Sequence, residues 1–177
     1  MSAKITMILG GARSGKSARA QALASQSQKP VTYVATYATG VADPEMSQRI
    51  AAHRSSRPAN WETVENRFDL STLFREVQGR VVVLDCLTLW LSRHFDTLPE
   101  PDLLQLLRTA IEDARSHGIE LYIVSNELGT GLVPSSPEGR HFRDLSGRAN
   151  QLVASLADHV ELQVAGLPLC LKGGPLP

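Results

Sequence analysis

The sequence predicts an α/β fold: a doubly wound, mostly parallel sheet with helices on both faces. Three observations predict it. Apolar, β-rich runs alternate with amphipathic helical stretches along the chain, the order that right-handed βαβ crossovers produce. The stretch Gly10-Gly11-Ala12-Arg13-Ser14-Gly15-Lys16-Ser17 fits G-x-x-x-x-G-K-S/T, the phosphate-binding P-loop. That stretch lies between an apolar run, Ile5 to Leu9, and a helix-forming run, Ala18 to Ala24; strand, glycine loop and helix is the context the motif requires. The fold is therefore expected to be P-loop NTPase-like, with residues 1–177 as one nucleotide-binding domain.

The elements follow in order. Val31 to Thr36 is a β-rich run that ends in polar residues. A helix is expected next, capped by Asp43, with Pro44 in its first turn and Glu45 complementing its dipole. It runs through Met46, Ile50 and His53 and stops at Ser55-Ser56-Arg57-Pro58. Arg80 to Asp85 reads as a buried strand. Leu103 to Ser116 reads as an amphipathic helix with Leu103, Leu104, Leu107 and Ile111 on one side, terminated by Gly118. Ile119 to Ser125 is a further strand, and Gly129 to Gly139, rich in Gly, Pro and Ser, a surface loop. A long helix from about Arg143 to Ala157 precedes a strand, His159 to Val164. Leu169 to Lys172 adds a short edge strand, and the Gly-Gly-Pro tail is expected to fray.

Composition narrows the function class. The chain has 18 basic and 18 acidic side chains and a net charge of zero, which argues against a broad nucleic-acid footprint. Cys86 and Cys170 sit in apolar surroundings without metal-type spacing, so they read as buried free thiols of a reducing compartment. No apolar run reaches the roughly 20 residues of a membrane span, and the N-terminus leads directly into the first strand. A cytoplasmic protein without stable membrane insertion is expected.

In open parallel sheets, ligands bind beyond the carboxyl ends of the strands, so the strand ends map the site. Glycines let backbone N–H groups turn around an anion, and the helix N-terminus adds its positive dipole end. Lys16 can reach the β- and γ-phosphates, and the Ser17 hydroxyl can bind Mg²⁺. Asp85, closing an apolar strand on the same sheet, fits a Walker B position that holds Mg²⁺; alone it would read as an ordinary strand-end carboxylate. The segment from Arg49 to Glu65 gathers His53, Arg49, Arg54, Arg57, Trp61, Glu62 and Glu65. Met46, Ile50 and His53 share one helical stripe, so spacing alone favours a half-buried core histidine. The functional alternative is an imidazole nucleophile among phosphate-binding arginines. A third polar cluster runs from Ser125 to Pro134 and on to Arg140, His141, Arg143 and Asp144. Arg140 and Arg143 can bind phosphate, or can pair with Glu138 and Asp144. His94, His117 and His159 lie in no motif and read as surface or structural residues.

Taken together, these residues resemble the bifunctional adenosylcobinamide kinase / adenosylcobinamide-phosphate guanylyltransferase family of cobalamin biosynthesis. The resemblance runs almost end to end. It rests on the P-loop, Tyr33-Val34-Ala35-Thr36, Arg49-Ile50 with His53, Arg57-Pro58 with Trp61, and Leu84-Asp85-Cys86-Leu87-Thr88. It continues through Ser125-Asn126-Glu127-Leu128-Gly129, Gly131-Leu132-Val133-Pro134, Phe142-Arg143-Asp144, Gly147-Arg148, Asn150-Gln151 and Ala165-Gly166. It implies two activities, with GTP and ATP as nucleotide substrates and Mg²⁺ as cofactor. One transfers a γ-phosphoryl group to the hydroxyl of adenosylcobinamide. The other transfers GMP from GTP to adenosylcobinamide phosphate through a GMP–histidine intermediate.

The resemblance further implies a doubly wound nucleotide-kinase-like fold and a homotrimer. By motif, His53 becomes the nucleophile and Gly10 to Ser17, with Lys16, the phosphate loop. Further nucleotide contacts fall at Ala35, Thr36 and Tyr37, at Arg54, Ser55, Ser56 and Arg57, and at Glu65 and Asp85. Some family members have two adjacent histidines where this chain has Ala52 and His53, which leaves His53 alone for the role. Two readings compete with this one. A P-loop small-molecule kinase with no covalent step would leave His53 structural, and a nucleotide-binding switch would not turn over with a corrinoid acceptor.

Overall fold

The computed structural model describes residues 3–37 and 57–177. The expected helix from Asp43 through His53 lies outside the described residues. Seven strands form one sheet: β1 (Ile5–Gly10), β2 (Val31–Ala35), β3 (Glu62–Glu65), β4 (Val81–Asp85), β5 (Glu120–Asn126), β6 (His159–Val164) and β7 (Leu167–Lys172). Their order is β3-β2-β4-β5-β1-β6-β7. All pairs are parallel except β6 with β7. The described helices are α1 (Lys16–Ala24), α2 (Leu70–Glu76), α3 (Leu87–His94), α4 (Glu100–Ser116) and α5 (Pro137–Leu156).

The central strands are buried on both sides, which explains their uninterrupted apolar runs. Alternate residues feed two cores. Ile5, Met7, Val82, Leu84, Leu121 and Ile123 face one side, where they pack with α2, α3, α4 and α5. Ile8, Val81, Val83 and Val124 face the other, where they meet Ala20, Leu23 and Ala24 of α1. The expected helices on both faces are present, unequally divided among the described residues.

The structure corrects several boundaries. β3, α2 and α3 were not expected. β3 is an edge strand with the sequence Glu-Thr-Val-Glu, half of it exposed, so it carries no apolar alternation to read. α2 and α3 have 7 and 8 residues, short enough to show about two turns of periodicity. The last long helix begins at Pro137, not near Arg143, because Ser136 caps it by accepting from the Gly139 N–H at 3.0 Å and Pro137 suits its first position. Gly139 therefore belongs to the helix and not to the preceding loop. β7 starts at Leu167, two residues earlier than expected. Ala165 and Gly166 both have positive φ, 51° and 81°, forming the two-residue turn that matches strand twist in a hairpin.

The tail is tied down rather than frayed. Arg19 donates to the carbonyls of Leu176 (3.2 Å) and Pro177 (2.7 Å), and Leu176 packs against the α1-side core. Cys86 is buried as expected, but Cys170 on β7 is only half-buried.

α2 is short, so its N-cap carries weight. Asp69 accepts from the Thr72 backbone N–H at 3.0 Å and from its hydroxyl at 2.7 Å. Asp69→Ala is expected to lower stability by about 1 kcal/mol in a denaturant titration. The bonds from Thr72 hold the Asp69 carboxyl below its ordinary value. Its stabilisation is thus present above the unfolded-state pKa and lost as pH falls through the lower folded value. Wild type and variant should converge at that acidic end.

Candidate active site

The loop from Gly10 to Ser17 joins β1 to α1 beyond the carboxyl edge of the sheet. Gly10 admits no side chain: a Cβ there would stand 2.6 Å from the Gln163 carbonyl oxygen. A Cβ on Gly15, with φ +99°, would meet the Gly166 Cα at 3.2 Å. Four of the loop's carbonyls, those of Gly10, Gly11, Ser14 and Gly15, are occupied from outside and within. The Glu127 N–H donates to Gly10 O at 3.0 Å, the Gly166 N–H to Ser14 O at 3.0 Å and the Arg19 N–H to Gly15 O at 2.9 Å. The Lys16 ammonium donates to Gly11 O and to the Ser14 hydroxyl. By contrast, no N–H of Ala12, Arg13 or Gly15 finds a backbone acceptor among the described residues. Gly15 caps α1 with no side-chain bond to the first turn. The open amides of Ala12, Arg13 and Gly15, with a helix N-terminus behind them, make a cradle for an anion.

Lys16 is buried, 7% exposed. Burial pulls its ammonium below the ordinary lysine range, opposed by Cys86 and the Asp85 carboxylate. Asp85 closes β4, two strands from β1 with β5 between, so it faces the loop across one intervening strand end, at the usual spacing of about 4.8 Å per strand. One of its carboxylate oxygens accepts from the Tyr33 hydroxyl. Burial, reinforced by Asp85, pushes the Tyr33 phenol well up, so Tyr33 stays a donor. The Arg57 guanidinium lies over the Tyr33 ring, 3.9 Å from its centroid, and Trp61 stacks on the same ring at 6.4 Å. Sequence reasoning named Arg57 and Trp61 but missed Tyr33 as their hinge with Asp85. Its only signal was a tyrosine inside a short, buried β-rich strand.

A hollow of about 370 Å³ beside this cluster is lined by Arg57, Pro58, Ala59, Trp61, Thr63 and Glu65. Glu65 accepts from the Tyr37 hydroxyl. A larger hollow of about 530 Å³ includes Lys29 and Val31 at the amino end of β2, away from the phosphate loop.

Thr36 and Ala35 are fully buried. The Thr36 hydroxyl donates to the Cys86 carbonyl and accepts the Cys86 N–H, both at 2.7 Å. It stitches the carboxyl ends of β2 and β4 together. Burial raises the Cys86 thiol to about 11, so it is neutral at pH 7. His53, Arg54, Ser55 and Ser56 lie outside the described residues.

Arg143 pairs with Asp144 at 3.0 Å, one of the alternatives open from sequence. Arg140 donates to the carbonyls of Pro134 (3.0 Å) and Ser135 (2.8 Å) instead of pairing with Glu138, and braces the loop before α5. His94 packs edge-on against Trp90 at 4.8 Å, and desolvation lowers its pKa, in keeping with a structural histidine.

Behind the site lies a buried polar chain. The Ser125 hydroxyl donates to Asn150 Oδ1 at 2.7 Å. Asn150 Nδ2 donates to the Asn126 carbonyl at 3.1 Å, and the Asn126 N–H donates to Thr88 Oγ1 at 3.0 Å. These bonds fix the carboxyl end of β5 to α3 and α5. Asn150→Ala leaves the Asn126 carbonyl and the Ser125 hydroxyl without these partners. A loss of about 1–3 kcal/mol is expected, read as a fall in melting temperature of about 2–4 °C per kcal/mol for a chain of this size.

The CobU family model, cobinamide kinase / cobinamide phosphate guanyltransferase, matches residues 6–171. The chain is similar to the bifunctional adenosylcobalamin biosynthesis protein CobP of Pseudomonas aeruginosa, with 43% identity over 96% of this chain and 98% of that protein. It is similar to the bifunctional adenosylcobalamin biosynthesis protein CobU of Escherichia coli, with 37% identity over 94% and 98%. Among solved structures, it is similar to a KaiC-like protein of Pyrococcus horikoshii (TM-score 0.54, 13% identity, 91% of this chain and 71% of that one). It is also similar to an ATPase of the type III secretion system of pathogenic bacteria (TM-score 0.60, 12% identity, 96% and 57%). At such identity these two likenesses speak for the P-loop NTPase fold alone. No helix among the described residues is long and apolar enough to cross a membrane.

Proposed function

The chain belongs to the cobinamide kinase / cobinamide phosphate guanyltransferase family, and we propose that it carries out both reactions within one domain. It phosphorylates adenosylcobinamide with a nucleoside triphosphate, and it transfers GMP from GTP to adenosylcobinamide phosphate through a GMP–histidine intermediate. The observation that carries this reading is a family match over nearly the whole chain on a phosphate loop in which the amides of Ala12, Arg13 and Gly15 stay open.

In the kinase reaction the triphosphate lies along the loop, with Lys16 at the β- and γ-phosphates. The acceptor hydroxyl attacks the γ-phosphorus, the bond to the β–γ bridging oxygen breaks, the nucleoside diphosphate leaves with that electron pair, and the hydroxyl proton passes to solvent. In the second reaction neutral His53 attacks the α-phosphorus of GTP; a P–N bond forms and pyrophosphate leaves. An oxygen of the acceptor phosphate then attacks the same phosphorus, the P–N bond breaks, and the imidazole is freed. Arg54 and Arg57 hold the nucleotide between the steps; Ala35, Thr36 and Tyr37 shape the strand ends beside it, and Glu65 meets its base or ribose.

Ser17 and Asp85 offer a hydroxyl and a carboxylate, hard oxygen donors that fit Mg²⁺. Mg²⁺ is commonly held by one or two carboxylates together with substrate phosphates. Bound there, Mg²⁺ would neutralise charge on the phosphates. The working assembly in this reading is a cytoplasmic homotrimer that neither enters the membrane nor binds nucleic acid.

Lys16→Ala is expected to lower kcat/KM of both reactions by on the order of a hundred- to a thousandfold, as for loss of one transition-state contact. Near-normal guanylyl transfer by that variant would overturn a shared phosphate loop. The covalent step is tested with α-labelled GTP. Wild type should carry acid-labile, alkali-stable label, and His53→Ala should carry none and should fail in guanylyl transfer. Phosphorylation of adenosylcobinamide should survive in part, because in-line γ-transfer needs no imidazole nucleophile. Undiminished labelling of the variant would reject His53. Loss of both activities with a clear fall in melting temperature would make His53 a core residue.

A further inference from the structure

Two exposed apolar clusters flank the phosphate loop, and the proposed chemistry has so far used neither. Leu132 and Val133, in the loop after β5, are 96% and 69% exposed. Val164 and Leu167, on either side of the β6–β7 turn, are 57% and 71% exposed. Side chains of this size rarely stand fully in water in a group. Both clusters lie at the carboxyl edge of the sheet. β1 runs between β5 and β6, so the two clusters extend from the strands immediately on either side of the phosphate loop.

Both are also tied to that loop. The segment leading to Leu132 begins at Glu127, whose N–H donates to Gly10 O at 3.0 Å. The turn between Val164 and Leu167 contains Gly166, whose N–H donates to Ser14 O at 3.0 Å. The first cluster is held from its other end as well, where Arg140 binds the carbonyls of Pro134 and Ser135. Leu169 and Leu171 are exposed too, but they run along β7 away from the phosphate loop and are not part of this pair.

We propose that Leu132 and Val133 on one side, with Val164 and Leu167 on the other, form the docking surface for the corrinoid acceptor. This inference rests on the function proposed above. A corrin is a broad ring with apolar faces, carrying its reactive arm at the rim. Two apolar shoulders astride the phosphate loop suit a ligand too wide for a pocket, and they direct its arm toward the phosphates between them. A nucleotide needs no such shoulders, because its phosphates seat on the loop itself. Arg140 is then a positioning residue that holds one shoulder in place.

The test compares full-length wild type with Leu132→Ser/Val133→Ser and with Leu167→Ser. All the replaced side chains are exposed, so melting temperature should not change. KM for adenosylcobinamide should rise by about tenfold or more for the double variant, as expected when apolar burial is removed from a binding surface. Leu167→Ser should raise it by a smaller factor, and GTP affinity should be unchanged in both. An unaltered corrinoid KM in both variants, with wild type active, overturns the docking surface and leaves the function standing. A wild type that never turns over a corrinoid overturns the function instead. A change of oligomeric state without a change of corrinoid KM overturns the proposal in favour of contact between copies of this chain.

Discussion

The structure depends on an asymmetry of hydrogen bonding in the loop between β1 and α1. A backbone that is to hold an anion must leave N–H groups open, while those of its carbonyls that lie buried need partners. The carbonyls of Gly10 and Ser14 are met by N–H groups of Glu127 and Gly166, from the segments that follow β5 and β6. The carbonyl of Gly11 is met by Lys16. Those two segments are thereby fixed relative to the loop, as are the strands that carry them. Gly10 has no room for a side chain because the Gln163 carbonyl of β6 passes so close. The sheet order, with β1 between β5 and β6, is what makes the arrangement possible.

The rest of the carboxyl edge is held by the same means, with polar groups bridging neighbouring strand ends. Thr36 joins β2 to β4 through Cys86, and Asn150 joins β5 to α5. The Thr36 links and the Ser125–Asn150 bond are buried and the Asn150–Asn126 bond partly so, which makes them costly to break and narrowly directional. Tyr33 works differently. Its phenol reaches Asp85 while its ring bears Arg57 and Trp61. It couples the strand-end carboxylate to the segment where the sequence places its arginines. On α1, Arg19 forms a two-pronged pair with Glu161, which is only 2% exposed. That pair fixes the helix behind the phosphate loop to β6.

The central strands, α1, the glycine loop between β1 and α1 and the place of Asp85 at a strand end were legible in the sequence because each is written locally. A buried parallel strand is a run of apolar residues, and the loop is a contiguous motif. β3 was not legible, because an edge strand with charged residues at both ends has no apolar pattern. α2 and α3 were not, because two turns of helix carry too little periodicity. The Tyr33–Asp85–Arg57 cluster joins residues up to 52 positions apart and leaves no spacing to find. Arg140 shows the limit most clearly. Its sequence neighbours offered Glu138 as an ion-pair partner, whereas the folded loop places two backbone carbonyls in its reach.

A single phosphate loop can serve both proposed reactions because they attack different phosphorus atoms of one kind of ligand. The triphosphate needs the same cradle in each case. What must change is the group brought to it: an acceptor hydroxyl at the γ-phosphorus in one, an imidazole and then an acceptor phosphate at the α-phosphorus in the other. The product of the first reaction is the acceptor of the second, so one corrinoid surface can serve both while the nucleotide is exchanged. That division favours rigid phosphate binding beside an open acceptor side. The described residues have this character, with a loop paired on its carbonyl face and two exposed apolar segments anchored on either side of it.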